Sequence, residues 1–212
     1  CGWSRLLTKN LLDIPRLGVI GYHPSKLPFN RGRHPLVWAL ALGLKKTAST
    51  FFIMKEDADN GDIIAQKDIT IRKNDDASTL YSKMTKVAMK QINEFLPALK
   101  INNLKIIKQN NILSNSWRKR TILDGLIDWR MTADSIYNLV RSLSRPYIGA
   151  HFTSDGKEFK IWKVKVVKLK EQNIEPGKII RRNSELLVKC GDDAIRIIEI
   201  EPLFKLNEGD YL

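Results

Sequence analysis

Cysteine is almost missing from this chain: its 212 residues hold only Cys1 and Cys190. Two thiols make neither a disulfide framework nor a zinc-ligand spacing, so no secreted disulfide scaffold and no metal site are expected. A reducing cytoplasm is the simplest setting. Long apolar runs are missing too. The longest, residues 36–42, stops at Gly43, far short of a bilayer span, and no charged leader with an apolar middle and a cleavage site is present. Neither a membrane protein nor a secreted one is expected. Cys1 stands where an initiator Met would, which suggests a fragment, a processed product or a very short N-terminus.

Acidic residues are the scarcer sign of charge: 23 Asp and Glu face 36 Lys and Arg, a net charge of +13. The excess is not concentrated. Residues 1–100 carry 16 basic against 9 acidic side chains, and residues 101–212 carry 20 against 14. Spread basicity reads first as a solvated surface that attracts anions in general, and second as a footprint for a polyanion. The densest cluster is Arg118-Lys119-Arg120. What remains is ordinary for a globular chain, with 43% hydrophobic and 28% charged residues, enough for one large domain or two small ones.

The chain divides by pattern into two parts, residues 1–108 and 109–212. In the first, Ser4 suits the cap of a short helix through Leu6, Leu7 and Leu11. Residues 17–20 read as a buried strand leading into a loop with His23, and Pro35 opens a helix over 35–42. Residues 47–54 and 63–71 read as strands around the turn that holds Asp59. A long helix, capped by Asp76 or Ser78, runs through Leu80, Met84, Val87, Ile92 and Phe95. This alternation predicts an α/β fold with part of a doubly wound, Rossmann-like sheet. Residues 105–116 form a polar, Asn-rich connector. The second part opens on a helix capped by Thr132, with Ile136, Leu139, Val140 and Leu143 on one face. Short strand-like runs at 159–167, 178–180, 185–189 and 195–200, split by turn signals, predict a small antiparallel barrel or sandwich. Asp128 and Trp129 read as a contact joining the two domains.

Two segments carry chemistry. His23 stands in a loop just past a short apolar strand, and Asp59 sits in the turn Asp59-Asn60-Gly61 between two further strands. An imidazole and a carboxylate on neighbouring strand ends make an acid/base pair. Arg31 and Arg33 flank Gly32 nearby and suit a phosphate. His34 stands next to them at the entry of the second helix.

Together these residues resemble the formyltransferase family that uses 10-formyltetrahydrofolate. The resemblance rests on His23, Ser25, Leu27, Pro28, Arg31, Gly32 and Pro35, followed by Asp59 and Gly61, and later on Ile127-Asp128-Trp129, Arg141, Pro146, Gly149-Ala150 and Pro176-Gly177. It implies a Rossmann-like catalytic core whose first strands are missing or shortened here, followed by a helix and a small barrel. It implies 10-formyltetrahydrofolate as co-substrate, with no metal. His23 and Asp59 become the catalytic residues, Ser25, Arg31, Arg33 and His34 acceptor-binding residues, and Glu56, Asp57, Ala58 and Gly61 residues of the folate site. The family's catalytic Asn falls on Gly21, which has no amide to offer.

The reaction so implied is attack of an amine on a formyl carbon through a tetrahedral oxyanion. It needs a donor for the oxyanion and an acceptor for the amine's proton. His23 fits the first task and Asp59 the second. The two arginines beside Gly32 suggest a diphosphate, so the amine of a nucleotide-linked amino sugar is the expected acceptor. Methionyl-tRNA is the second choice, a formylation domain of a peptide synthetase the third, and Gly21 leaves room for a catalytically silent binding module. Oligomeric state is left open.

Overall fold

Residues 46–53 alternate little: six consecutive positions from Thr47 to Phe52 are buried, as in a strand covered on both faces. That places this strand in the middle of its sheet. The computed structural model describes residues 6–171 and 173–212, so the expected cap Ser4 and Cys1 lie outside the described residues. In chain order the first part contains α1 (Lys9–Leu12), β1 (Ile20–His23), β2 (Arg31–Gly32), α2 (Pro35–Ala41), β3 (Lys46–Ile53), β4 (Ile63–Thr70), α3 (Ala77–Lys100) and β5 (Ser116–Trp117). The central strand β3 pairs with β1 on one side and β4 on the other.

The α/β class holds, with a Rossmann-like core followed by a sheet domain. Within the core the ladders of β1, β3 and β4 run antiparallel; β3 returns to β4 through the turn that holds Asp59, whereas the connection from β1 to β3 passes through β2 and α2. β1 also begins later than the hydrophobic run suggests. Gly18 takes a left-handed φ of 79°, which breaks the run, and pairing extends instead through His23 opposite Thr50. His23 is therefore the last residue of a strand and not a loop residue. Gly21 and His23 share its buried side.

The second part contains α4 (Ala133–Ser142), β6 (Ala150–Ser154), β7 (Lys157–Val167), β8 (Ile179–Arg182), β9 (Glu185–Lys189) and β10 (Ala194–Glu201). Thr132 caps α4 as expected, its hydroxyl accepting from the Ser135 N–H. The strands form one antiparallel sheet in the order β6-β7-β10-β9-β8. Among the described residues no ladder joins β6 to β8, so the sheet stays open where a closed barrel was one expectation. Trp129, read as a domain joint, packs edge-on against Phe152 of the same part, with centroids 5.7 Å apart. Asp128 is held by the Arg130 guanidinium, which keeps its carboxyl down at about 2.

Contacts group residues 1–39, 44–73 and 79–120 into one unit, and 40–43, 74–78 and 121–212 into the other. Residues 109–120 thus cluster with the first unit, because β5 pairs with β2 there. Among the described residues no helix is long and apolar enough to cross a membrane.

Cys190 is fully buried in the second unit, and that burial pushes its thiol up to about 12. The thiolate is the reactive form, so at pH 8 only about one molecule in ten thousand presents it. In a Cys1→Ser variant, a maleimide at pH 8 should therefore leave the folded protein unmodified and label it at once in denaturant. Rapid labelling of the folded variant would contradict this burial.

Candidate active site

The segment after β1 is folded back on itself by its own polar groups. Ser25 is fully buried and donates its hydroxyl to the Phe29 carbonyl at 3.0 Å, while its carbonyl accepts from Thr50 at 2.6 Å. Gln66 donates to the Leu27 carbonyl at 2.9 Å. This loop delivers the Asn30 carbonyl to within 2.8 Å of His23 Nε2. A ring nitrogen facing a carbonyl carries its hydrogen, so Nε2 is a donor. The other ring nitrogen, Nδ1, faces Asp59 Oδ2 at 3.5 Å. His23 is 5% exposed, and Asp59 is the more open member of the pair.

Asp59 is set from two directions. Its Oδ2 accepts from the Gly32 backbone N–H at 2.9 Å, and its carbonyl accepts from Gln109 Nε2 at 2.8 Å. Oδ1 carries no hydrogen bond among the described residues. Gln109 Nε2 also reaches the Gly61 carbonyl at 2.6 Å, so one amide holds both ends of the turn. Gly61 is required by contact: a Cβ there would overlap the Ile53 carbonyl. Gly32 is required twice over, by a φ of 96° and by the Trp117 carbonyl, which a Cβ would overlap.

Arg31 supplies the link between these pieces. It is 8% exposed, and its Nη2 donates to Gln109 Oε1 and to Asn111 Oδ1, each at 2.7 Å. Its Nε–H meets no acceptor among the described residues. Burial pulls the guanidinium below its ordinary value, and the carboxylates of Asp59 and Asp57 oppose that pull. Backbone strain gathers at the same place. Asn30, His34 and Asp59 adopt left-handed φ values of 62°, 54° and 56°. Asn, Asp and His tolerate that region better than other side chains with a Cβ, and such strain clusters where a site over-determines its backbone.

These elements border a cleft of about 440 Å³ whose walls include Tyr22, His23, Arg33, His34, Asp57 and Asp59. Ala58 also lies on the wall, with Phe52 and Met54 as its apolar part. Of the remaining expected site residues, Ser25 and Arg31 are buried behind the wall and spend their polar atoms on the loops. Glu56 is exposed away from it, and Gly61 is covered by Ile53. At Gly21 a Cβ would lie 2.7 Å from the Phe52 ring and 2.9 Å from Met54, so the cleft has hydrocarbon where an amide would stand.

Sequence reasoning missed Gln109, Asn111 and Asn115, all placed in a featureless connector. Asn115 Oδ1 accepts from the Asn30 N–H at 2.8 Å. Their density of side-chain amides was the available signal, because buried loops need such groups to satisfy backbone donors and acceptors. Replacing Gln109 with Leu removes an acceptor from a buried cation and a donor from two carbonyls. We expect a loss of about 2 kcal/mol or more in urea denaturation; an unchanged midpoint would show that this amide does not hold the turn.

Comparison with known proteins bears on the family and the fold. Residues 1–96 match the family model described as "Formyl transferase", and residues 121–205 match "Formyl transferase, C-terminal domain". The chain is 37% identical to a methionyl-tRNA formyltransferase of Caldanaerobacter subterraneus, a match covering 99% of this chain and 68% of that protein. It is 35% identical to the bifunctional polymyxin resistance protein ArnA of Wigglesworthia glossinidia brevipalpis, over 94% of this chain and 30% of that protein. Among solved structures, the N-formyltransferase from Helicobacter canadensis, in complex with folinic acid and dTDP-3-aminofucose, shares the fold. It matches at a TM-score of 0.68 and 20% identity, over 84% of this chain and 65% of that one. The family draws its formyl group from formyl-tetrahydrofolate, and among the described residues no group of three or more His, Cys, Asp or Glu is placed to hold a metal. With family models on both halves and relatives matched along nearly its whole length, the chain belongs to the formyltransferase family.

Proposed function

We propose that this protein transfers the formyl group of 10-formyltetrahydrofolate to the amine of a nucleotide-linked amino sugar. The observation that carries the proposal is the approach of His23 Nδ1 to Asp59 Oδ2, 3.5 Å apart, on the wall of one cleft. The amine nitrogen attacks the formyl carbon, and the carbonyl electron pair moves onto oxygen. The bond from carbon to N10 of the folate then breaks and the formamide forms. N10 leaves with the proton that the amine gives up, so the atoms balance.

Asp59 is the acceptor for that proton. Its Oδ2 is anchored by Gly32 and faces His23, which leaves Oδ1 for the amine. His23 stabilises the oxyanion when its Nε2–H leaves the Asn30 carbonyl for the substrate. With Gly21 in the position of the family's amide, this donor carries more of the task. A donor of this kind contributes about 3 kcal/mol to lowering the barrier. Asp57 and Ala58 border the same cleft and suit the folate side, with Glu56 and Gly61 shaping the turn from behind. Ser25 and Arg31 act by holding the loops, and Arg33 and His34 face the acceptor.

A second reading, methionyl-tRNA as acceptor, is favoured by relatives of that name at 37% and 33% identity. The charge pattern favours the sugar, since the basic excess is spread over both halves of the chain and Arg33 stands at the cleft. A reducing cytoplasm suits either acceptor.

Mixing the protein with 10-formyltetrahydrofolate and a nucleotide-linked 4-amino sugar should release tetrahydrofolate. Turnover only with charged initiator tRNA, falling steeply with salt, would replace this reading with the second. His23→Ala and Asp59→Asn should each lower kcat at least about a hundredfold. A loss of a fewfold or less would take both residues out of the chemistry.

A further inference from the structure

Two residues with left-handed backbone touch the His23 ring from opposite sides: Asn30, with φ 62°, and Asp59, with φ 56°. The Asn30 carbonyl faces His23 Nε2, and the Asp59 carboxylate faces His23 Nδ1. A strained conformation of this kind persists only where its surroundings hold it. In both cases a side-chain amide from the connector between α3 and β5 does so. Gln109 Nε2 donates to the Asp59 carbonyl at 2.8 Å. Asn115 pairs reciprocally with Asn30. Its Oδ1 accepts from the Asn30 N–H at 2.8 Å, and its Nδ2 donates to the Asn30 side-chain oxygen at 3.2 Å.

The connector is itself tied down at both ends. Ile107 exchanges two backbone hydrogen bonds, of 2.8 and 2.9 Å, with Ile63 just beyond the Asp59 turn. At the far end the Arg31 N–H donates to the Asn115 carbonyl at 3.0 Å, and β5 pairs with β2. Between these ties Gln109 accepts from Arg31, the residue that precedes the Gly32 N–H bound to the Asp59 carboxylate. One amide therefore braces both sides of the Gly32–Asp59 bond. The connector is a strap across the two segments that carry His23's partners, and the described walls of the cleft include neither Gln109 nor Asn115.

We propose that Gln109 and Asn115 are positioning residues of the formyl transfer, Gln109 acting through Asp59 and Asn115 through the Asn30 carbonyl that orients the His23 ring. This rests on the reading above, in which His23 and Asp59 carry the chemistry. A proton acceptor and an oxyanion donor work only in register with the reacting atoms, and a displacement of about 1 Å can cost about a hundredfold in rate. A strap that fixes the backbone on both sides of the pair supplies that register without touching substrate. Its effect falls on kcat and not on binding.

Gln109→Glu keeps an acceptor for Arg31 and loses the donor to the Asp59 and Gly61 carbonyls, while Asn115→Ala changes an exposed position. Gln109→Glu should lower kcat at least about tenfold and Asn115→Ala at least about threefold, with KM for donor and acceptor changed less than about threefold. In an Asp59→Asn background Gln109→Glu should cost less than about twofold more, and so should Asn115→Ala in a His23→Ala background, because each has then lost the group it acts through. Turnover is followed as tetrahydrofolate release, with the amino sugar or with charged initiator tRNA. The His23 ring signals in nitrogen-labelled protein, identified by their loss in His23→Ala, need no acceptor. Either substitution should move them and leave those of His151 in place. Asn115→Ala carries the test alone if Gln109→Glu does not fold. The proposal is overturned if kcat of the folded variants stays within about twofold of the parent, or if the losses multiply in the double variants. It is equally overturned if the His23 signals do not move. Should those signals move while neither acceptor is formylated, the positioning stands and the reading of the reaction falls.

Discussion

The guanidinium of Arg31 is the group on which the geometry of this site turns. It is buried, it carries a charge that it cannot shed, and among the described residues it meets no carboxylate directly. Instead its Nη2 is shared between the side-chain oxygens of Gln109 and Asn111. A buried cation left without such acceptors is strongly unfavourable, so the segment bearing the two amides is drawn against the β2 loop. Gln109 then passes the constraint on, because its other end holds the carbonyls of Asp59 and Gly61. Three stretches distant in sequence meet through one arginine and one glutamine, and the placement of the Asp59 carboxylate follows from that meeting.

The same arrangement assigns different work to residues of similar chemistry. Arg31 and Arg33 stand two positions apart, which on a regular strand would put them on one face, yet one faces the interior and the other the cleft, because the left-handed φ of 96° at Gly32 breaks the extended run between them. Ser25 and Thr50 spend their hydroxyls on backbone carbonyls, which frees the Asn30 carbonyl to meet His23. Asp57 and Asp59 lie in one turn, but only Asp59 has an oxygen anchored by the Gly32 N–H.

Much of the scaffold was legible because it is local. Strand-like runs bounded by turn signals located β3 and β4, a 3.6-residue period located α3 and α4, and Thr132 announced its helix by a capping preference that acts over three residues. What escaped was what depends on partners far along the chain. Residues 150–154 gave too short a pattern to be read as β6, whose pairing with β7 supplies its stability. The antiparallel return of β1, β3 and β4 leaves no mark on periodicity, since both orientations alternate alike. The connector looked inert because its contacts are single amides reaching back some fifty to eighty residues. The approach of His23 to Asp59 could be expected from two motifs at neighbouring strand ends. The burial of Ser25 and Arg31 could not, because polar side chains near a site are read by default as facing it.

The crowding at Gly21 bears on the ways this protein can change. An asparagine at that position would collide with the Phe52 ring and Met54, whereas trimming Phe52 first would leave a void in the apolar cluster it forms with Leu27 and Ile63. The glycine at position 21 is thus tied to the packing of both Phe52 and Met54, and an amide there requires both side chains to shift.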